Sequence, residues 1–425
     1  MYKLIVLLAL CVGSLLTCEA RSSFILKNDL PIDRINEPFV FSRGEFERRF
    51  GAGKAGEVPV LFVKGKPIPT QTDDLNGDGK WDELAFTINM AGHSTLSLET
   101  IWVTGKEAPV FEKRTQVYLG EENRNGGFTE VTEADAPLGL AGFPTHYQAE
   151  GVGWENDRMA FRIYFDCRNT KDLFGKLTPG LILRKAGSPT EPTYHELAPW
   201  GMDILHCGSS LGAGSLAMLE GDSLYRLGST PGYHYKKITE GPVRTIFELT
   251  YKGWEVNGHK YEATERITLW IGKYWFQSEV RIHDFIGEKQ VVTGITTTKL
   301  DRDPIQFQAN ADYTAILTHG KQSLNNDILA MAVLAPTNEI GKIARTTNTD
   351  FYRLGYQTVP VKSFSQVISD TWYLSQKIKS QSPSFHYFFA MWGLENPKWN
   401  EVDSVKNYIR EEAEKLSRPI SISKE

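Results

Sequence analysis

The sequence predicts an all-β fold, in which a large antiparallel β-sandwich follows a small N-terminal β module and one helix lies near the end of the chain. Three observations predict this fold class. Apolar and polar residues alternate in many segments, glycine-containing turns separate those segments, and aromatic residues form 12% of the chain. Alternation with a period of two is typical of strands that bury one face, and aromatic residues favour strands.

The strand pattern is clearest in three parts of the sequence. Between residues 244 and 251, one face of the predicted strand consists of Thr245, Phe247, Leu249 and Tyr251. Residues 264–271 and 274–282 flank the dipeptide Gly272-Lys273, which favours a tight turn, so they are predicted to form a hairpin. Another strand is predicted to place Phe161, Ile163 and Phe165 on one face, and Arg162 and Tyr164 on the other.

The chain divides into three predicted parts, residues 1–20, 21–110 and 111–425. The first part has an early lysine, an apolar core and a small-residue end, as a secretory signal peptide does. It is too short for a membrane anchor. Cleavage before Arg21 and lipidation at Cys18 remain alternatives, and cleavage is favoured because Thr17 is unusual before a lipidated cysteine. We therefore expect a periplasmic or secreted protein without membrane attachment, unless Cys18 is lipidated.

The second part is predicted to be the N-terminal β module, and the third to be a large sandwich that carries the catalytic site. A helix is predicted near the end of the third part, because apolar residues there recur at helical spacing. Its buried face is predicted to contain Val405, Ile409, Glu412 and Leu416. Asp403 is expected to cap this helix and Pro419 to stop it.

Composition and missing motifs exclude several classes of protein. The net charge of −5 argues against a nucleic-acid partner, which requires a basic surface. The glycine-rich segment 209–214 contains no GxGxxG or GxxxxGK arrangement, and the chain has no HExxH motif of zinc enzymes. Two cysteines follow the predicted signal peptide, Cys167 and Cys207, and either a disulfide or two buried thiols fits them.

An acidic loop between residues 73 and 84 has the composition of a calcium site. Its oxygen-bearing side chains are spaced by two residues, and Gly77 and Gly79 allow the chain to wrap around a cation. Position twelve of the loop is Ala85, which departs from the EF-hand pattern. The predicted ligands of a structural Ca²⁺ are Asp74, Asn76, Asp78, Lys80, Asp82 and Glu83. The alternative is a solvated hairpin without metal, and we expect no organic cofactor.

Residues 146–214 concentrate polar and aromatic side chains between short apolar runs, which is typical of loops that carry a binding site. His146 is predicted to act in proton transfer, because it precedes a polar, glycine-rich segment. Trp154 and Trp200 are predicted sugar platforms, and Glu155 and Asp203 are predicted to hold sugar hydroxyls. A structural role, in the core or in a turn, is the alternative for each. The same region contains Tyr194, His195, Glu196 and His206, which are assigned no separate role.

A third polar cluster lies between residues 233 and 244. Proton abstraction beside a carboxylate requires a base, an acid and a group that stabilises the enolate. Tyr235 or His234 is therefore predicted to carry the proton with His146, and Arg244 to neutralise the carboxylate. An exposed basic loop is the alternative for this cluster.

Three sequence motifs together indicate a family. They are DDLNGDGKWDELAF, GWENDRMAFRIYFD and HELAPWGMDILHCGSSLGAG. The mature chain resembles, over nearly its whole length, a family catalogued as a domain of unknown function, common in bacteria that degrade complex polysaccharides. The resemblance implies a fold related to the galactose-mutarotase-like supersandwich. It also implies a relation to oligosaccharide dehydratases of ulvan breakdown.

The resemblance implies the leading hypothesis, a secreted carbon–oxygen lyase that acts on an anionic, uronate-containing oligosaccharide. It would abstract the C5 proton of a non-reducing-end uronate and expel the C4 substituent, which leaves a 4,5-unsaturated uronate. One alternative is a glycoside hydrolase or epimerase that uses paired carboxylates on the same scaffold. The other alternative is a glycan-binding protein without catalytic activity.

Overall fold

The computed structural model describes residues 22–136, 146–228, 230, 232–348 and 367–424. The predicted signal peptide, including Cys18, lies outside the described residues. Within the described residues, helices are too short or too polar to cross a membrane.

The N-terminal module consists of short strands around one short helix. Ser42 caps this helix, because its side chain accepts a hydrogen bond from the backbone N–H of Glu45. Phe46 and Phe50 of the helix join the core of the module. The elements in chain order are β1 (Ser22–Lys27), β2 (Arg34–Ser42), α1 (Arg43–Phe50), β3 (Glu57–Val63), β4 (Lys66–Pro67), β5 (Thr70–Asp73), β6 (Glu83–Met90) and β7 (Thr95–Thr104).

The larger part of the chain is built from antiparallel strands and ends in a helix and a final strand. The first group of strands is β8 (Gln116–Tyr118), β9 (Gly120–Glu122), β10 (Phe128–Glu130), β11 (Glu133–Asp135), β12 (Gly151–Glu155), β13 (Met159–Tyr164), β14 (Lys171–Lys176), β15 (Gly201–Asp203), β16 (Ala213–Glu220), β17 (Ser223–Arg226) and β18 (Gly232–Thr239). The remaining elements are β19 (Arg244–Val256), β20 (His259–Trp270), β21 (Trp275–His283), β22 (Glu288–Thr296), β23 (Ile305–Gln308), β24 (Tyr313–Lys321), β25 (Ile328–Pro336), β26 (Ile340–Arg345), β27 (Thr371–Lys379), β28 (Ser384–Trp392), α2 (Val402–Ser417) and β29 (Ser421–Lys424).

Three sheets form the sandwich. The largest has nine strands in the order β11-β18-β19-β20-β21-β28-β25-β24-β23. Two five-stranded sheets have the orders β15-β14-β13-β12-β8 and β17-β16-β22-β27-β26. One hydrophobic core contains residues of all three sheets. The predicted all-β antiparallel sandwich is therefore confirmed.

Aromatic side chains join the nine-stranded sheet to the sheet that contains β13. Trp154 lies parallel to Phe161, and both meet the ring of Phe276 edge-on at 5.5 and 5.1 Å between centroids. Such edge contacts add to the stabilisation that burial of the rings supplies. The inner face of β13 is thereby fixed against the core, so the other face of this strand points away from it.

The predicted hairpin and the predicted helix are both present, with small differences. Strands β20 and β21 pair across a turn in which Gly272 has a φ of 73°, a value that glycine adopts without strain. Helix α2 begins two residues earlier than a cap at Asp403 requires, because Glu401 is its N-cap. Its predicted residues Val405, Ile409 and Glu412 are buried, and Leu416 packs against the core.

The end of the chain returns to the N-terminal module. Strand β29 pairs with β1, and Ile420 belongs to the core of that module. The predicted division near residue 110 assigned β29 to the sandwich. A strand of four residues has too short a sequence pattern to indicate which strand it pairs with. The N-terminal sheets and the sandwich are therefore linked at two places in the chain.

Arg244 joins the two parts of the molecule. Its guanidinium lies 2.6 Å from Asp73 and 2.6 Å from Glu83, and all but a small part of its side chain is buried. Gln71 also donates to the backbone carbonyl of Arg244 at 3.1 Å. The predicted role of Arg244 as a ligand of a substrate carboxylate is wrong, because carboxylates of the N-terminal module already occupy its guanidinium.

Arg244→Met should lower the free energy of unfolding by about 3 to 5 kcal/mol, because it leaves the buried carboxylate of Asp73 without its charged partner. Denaturant unfolding measures this loss. Arg266→Met is the matched control, since the ion pair of Arg266 with Glu248 is partly exposed and is expected to contribute less than about 1 kcal/mol. Equal losses in the two variants would contradict the role assigned to Arg244.

Candidate active site

The outer face of the five-stranded sheet around β13 carries an unusual set of polar residues. Because side chains alternate along a strand, Phe161 and Ile163 enter the core while Arg162 and Tyr164 point to the opposite face. Asp172 of β14 lies directly across from Arg162 in the register of the two strands. Asp203 of β15 continues the same face at the edge of the sheet.

These residues border a solvent-accessible cleft of about 290 Å³. The cleft combines cationic, carboxylate and imidazole side chains with a few apolar ones. It is lined by Glu150, Arg162, Tyr164, Arg168, His195, Asp203, Leu205, His206, Cys207, Gly208 and Leu324. A concave surface with convergent polar groups is the usual form of a small-molecule or sugar site.

Arg162 organises the floor of the cleft. Its Nη2 donates to Asp172 at 2.7 Å and to Asp203 at 2.8 Å, and its Nη1 donates to the Tyr194 hydroxyl at 3.1 Å. The Tyr164 hydroxyl donates to Asp172 at 2.7 Å. The guanidinium is 2% exposed, so its carboxylate partners compensate a charge that would otherwise be costly to bury.

Asp203 is a buried carboxyl whose pKa is raised well above its ordinary value. Burial, and then the neighbouring carboxylate of Asp172, raise the pKa of Asp203 to about 8, although Arg162 opposes the shift. Two carboxylates that share one guanidinium in a buried place do not both ionise readily. Asp203 can therefore donate a proton, as a general acid must.

His195 stands beside this acid at the mouth of the cleft. Its Nδ1 lies 3.7 Å from Asp203 Oδ2, and its ring lies against the ring of Tyr194 at 4.3 Å between centroids. Partial burial, and then the positive charge of Arg162, lower the pKa of His195. The imidazole is therefore neutral at neutral pH and able to accept a proton. The second imidazole of the cleft, that of His206, is half-buried.

Arg168 forms the cationic wall of the cleft. It makes a bidentate pair with Asp166, in which Nε donates to Oδ1 at 3.0 Å and Nη2 donates to Oδ2 at 2.6 Å. Its Nη2 also lies 2.7 Å from Glu150 Oε2. The guanidinium stacks over the ring of Tyr164 at 3.8 Å, which holds its plane in place.

The backbone that carries Glu150 is strained. Ala149 has a φ of 48° and Glu150 a φ of 64°, in the left-handed region that non-glycine residues rarely adopt. Each such residue costs roughly 1 kcal/mol or more. The carbonyl of Glu150 accepts a hydrogen bond from Phe165 at 3.0 Å and that of Ala149 one from Arg162 at 3.3 Å. The sheet therefore holds Glu150 at the cleft despite the strain.

Two of the predicted sugar-binding residues lie elsewhere. The side chain of Trp154 is 0% exposed within the sandwich core. Glu155 is also fully buried, where Oε2 lies 2.6 Å from Lys176 and Oε1 accepts from the backbone of Ile182 and Leu183 at 2.7 Å each. The predictions of a platform at Trp154 and a hydroxyl ligand at Glu155 are wrong, because neither side chain reaches solvent.

The predicted pair of His146 and Tyr235 does not face one cleft. Tyr235 is 0% exposed, and its ring packs against Phe165 and Phe247, so its hydroxyl is closed off from substrate. His146 is an exposed residue whose Nδ1 lies 4.0 Å from Glu122. Strand β18 turns the neighbouring His234 to the opposite face, where it pairs with Asp135 at 2.9 Å.

Asp203 is the predicted site residue that lines the cleft. Trp200 is half-buried and packs near Phe174, with ring centroids 6.4 Å apart, outside the cleft lining.

Cys167 and Cys207 are both buried free thiols. Of the two alternatives for these cysteines, the structure therefore has two thiols and no disulfide between them.

Sequence reasoning missed most of the cleft. The sequence analysis gave no role in a site to six residues that line the cleft, namely Glu150, Arg162, Tyr164, Arg168, His195 and His206. One signal was present, since Arg162 and Tyr164 stand opposite an apolar face in a strand that is otherwise apolar. A cation in such a position requires a buried partner, which sequence alone does not identify.

The acidic loop closes through its own backbone. The carboxylate of Asp74 accepts hydrogen bonds from Gly77 and Gly79 at 2.7 Å each, and these backbone donors, with that of Gly79 the largest influence, lower the pKa of Asp74. Asp82 accepts from Leu75 at 2.8 Å. Among the described residues, no three acidic, histidine or cysteine side chains are arranged to hold a metal. The calcium site stays a prediction.

Comparison with known proteins identifies the family. The chain belongs to the family DUF4861, a domain of unknown function, which matches residues 26–422. It is 24% identical over 416 residues to the uncharacterized protein P7 of Formosa agariphila, an alignment that covers 94% of this chain and 92% of that protein.

Two solved structures are similar at low identity. An alpha-mannosidase from Enterococcus faecalis V583 has a TM-score of 0.46 at 9% identity, over 95% of this chain and 46% of that one. A glycosyl hydrolase family 38 protein from Enterococcus faecalis has a TM-score of 0.35 at 8% identity, over 95% and 47%. The chain spans about half the length of these two structures.

Asp203→Asn should flatten the pH dependence of stability between pH 4 and 8. The folded protein holds the Asp203 proton up to about pH 8, whereas the unfolded chain releases it near 3.8, so this contribution to stability is lost as pH rises. Asparagine imitates the neutral carboxyl and should therefore remove this loss of stability with rising pH. Urea unfolding at several pH values measures the change. Asp222→Asn, at a fully exposed carboxylate, is the control and should keep the slope of the unaltered protein.

If the acidic loop binds calcium, Ca²⁺ should raise the melting temperature of the protein, and Asp74→Ala should abolish that rise. Asp222→Ala, at an exposed carboxylate outside the loop, should keep it. A melting temperature that does not respond to Ca²⁺ or to a chelator would identify the loop as a metal-free hairpin.

Proposed function

We propose that this protein is a carbon–oxygen lyase that dehydrates the non-reducing-end uronate of an oligosaccharide of the ulvan type. The cleft on the outer face of the five-stranded sheet is the proposed site. The observation that carries the proposal is the contact of the His195 imidazole, whose pKa is lowered, with the buried Asp203 carboxyl, whose pKa is raised, beside two guanidinium groups. A base, an acid and cations are the groups that elimination beside a carboxylate requires.

The reaction balances with these two groups alone. His195 takes the proton from C5 of the uronate, and the electrons of that C–H bond form the C4=C5 double bond. The C4–O4 bond breaks, and O4 leaves as water after it receives the proton of Asp203. The imidazolium of His195 then returns a proton to the Asp203 carboxylate across their 3.7 Å contact, which restores both groups.

The guanidinium groups of the cleft support the charge that develops. Abstraction of the C5 proton places negative charge on the uronate carboxylate, and positive groups fixed beforehand stabilise it without rearrangement. Arg162 and Arg168 both line the cleft, and with Asp203 protonated the lining holds one ionised carboxylate, that of Glu150. The carboxylates of Asp166 and Asp172 lie behind the two arginines and fix them in place.

A glycoside hydrolase is the second candidate. A carboxyl whose pKa is raised by burial, as that of Asp203 is, is also the general acid of many glycosidases. Hydrolysis adds water across a glycosidic bond, whereas dehydration removes water from one sugar and leaves the chain length unchanged.

Incubation with uronate-ended oligosaccharides distinguishes these candidates. Dehydration produces the ultraviolet absorbance of the unsaturated uronate and a mass loss of one water. Shorter chains with new reducing ends would identify a hydrolase. Binding without a change in mass would identify a glycan-binding protein, and either of these results would contradict the proposal.

His195→Ala and Asp203→Asn should each lower kcat for dehydration by about 10²- to 10⁴-fold, since each removes one proton-transfer group. Steady-state rates from the absorbance of the product measure the effect. His146→Ala is the matched control at an exposed histidine and should change the rate less than about threefold. A large loss in His146→Ala with full activity in His195→Ala would move the site away from the cleft.

A further inference from the structure

The charge balance of the cleft is uneven at Arg168. One guanidinium there meets two carboxylates, and both reach the same atom: Nη2 lies 2.6 Å from Asp166 Oδ2 and 2.7 Å from Glu150 Oε2. Asp166 alone neutralises Arg168 through its bidentate pair. The carboxylate of Glu150 is therefore in excess of what the charge of Arg168 requires.

The two carboxylates are held with different strength. Asp166 also accepts the backbone N–H of Arg168 at 2.8 Å, so it is anchored to the residue that it neutralises. Among the described residues, the Glu150 carboxylate forms a hydrogen bond with Arg168 alone. The backbone of Glu150 is separately secured by the bond from Phe165, so its side chain can move without the strand.

Arg162 does not offer a comparable position. Its side chain is 2% exposed, and its nitrogens already bond to Asp172, Asp203, Tyr194, Tyr164 and the carbonyl of Ala149. The side chain of Arg168 is 12% exposed and lies at the wall of the cleft. An arriving anion therefore meets Arg168 more readily than Arg162.

We infer that Arg168 is the carboxylate-binding position of the cleft, and that Glu150 occupies this position until the carboxylate of an acidic sugar displaces it. Glu150 is in this way an internal competitor that lowers the affinity of the cleft for the carboxylate of an anionic sugar. The inference rests on the proposed function for the identity of the sugar. A substrate carboxylate replaces a carboxylate of the chain, so the charge around Arg168 stays constant, while a neutral sugar has no group to make the exchange.

Equilibrium binding of glucuronate and of glucose tests this inference without turnover. Calorimetry on the unaltered protein and on Glu150→Gln compares the two sugars. Removal of the competing carboxylate should tighten glucuronate binding about tenfold and leave glucose binding unchanged. Arg168→Lys in the Glu150→Gln background should reverse the gain, because lysine loses the planar fork that binds a carboxylate.

Glu122→Gln is the matched control, because it removes the same charge from an exposed position and should leave glucuronate affinity unchanged. An equal gain in Glu122→Gln and Glu150→Gln would overturn the inference, and so would glucuronate affinity that Glu150→Gln does not raise. Thermal melting shows whether each variant is folded. Tighter glucuronate binding without dehydration would support the carboxylate site while it contradicts the proposed reaction, so the two failures are distinguishable.

Discussion

The buried guanidinium of Arg162 is the interaction on which the candidate site depends. It draws together Asp172 and Asp203 from two neighbouring strands and Tyr194 from a loop. Burial and the neighbouring carboxylate of Asp172 raise the pKa of Asp203, although Arg162 opposes that shift. Burial, and then the positive charge of Arg162, lower the pKa of His195. Arg162 thus positions the Asp203 carboxyl and influences the pKa of both groups that the proposed reaction uses.

The sandwich supplies the rigidity that this arrangement needs. Strand β13 is held on its inner face by aromatic contacts with the nine-stranded sheet, and β14 is tied to the same sheet by the buried pair of Lys171 and Glu265 at 2.7 Å. Removal of one partner of such a buried pair strongly lowers stability. The positions of β13 and β14 relative to each other are therefore well fixed. The positions of Arg162 and Asp172 follow from that spacing.

The sequence was sufficient for elements whose signals are local. The hairpin of β20 and β21 and the buried face of α2 follow from patterns within twenty residues. The cleft could not be derived in this way, since it unites Glu150, Arg168, His195 and Asp203 through the pairing of strands and the path of one loop. Arg244 shows the same limit, because an arginine that binds a substrate and one that joins two sheets have the same sequence signal.

The two charge arrangements of the cleft depend on each other. The carboxylate of Glu150 contributes to the raised pKa of Asp203, after burial and the nearer charges. If Glu150 moved away and no other negative charge took its place, the pKa of Asp203 would fall, because one of the charges that raise it would be gone. Exchange of one carboxylate for another at Arg168 avoids this loss, because the negative charge beside the acid persists. The substrate itself would then keep Asp203 protonated at the stage when a proton must be given to the leaving oxygen.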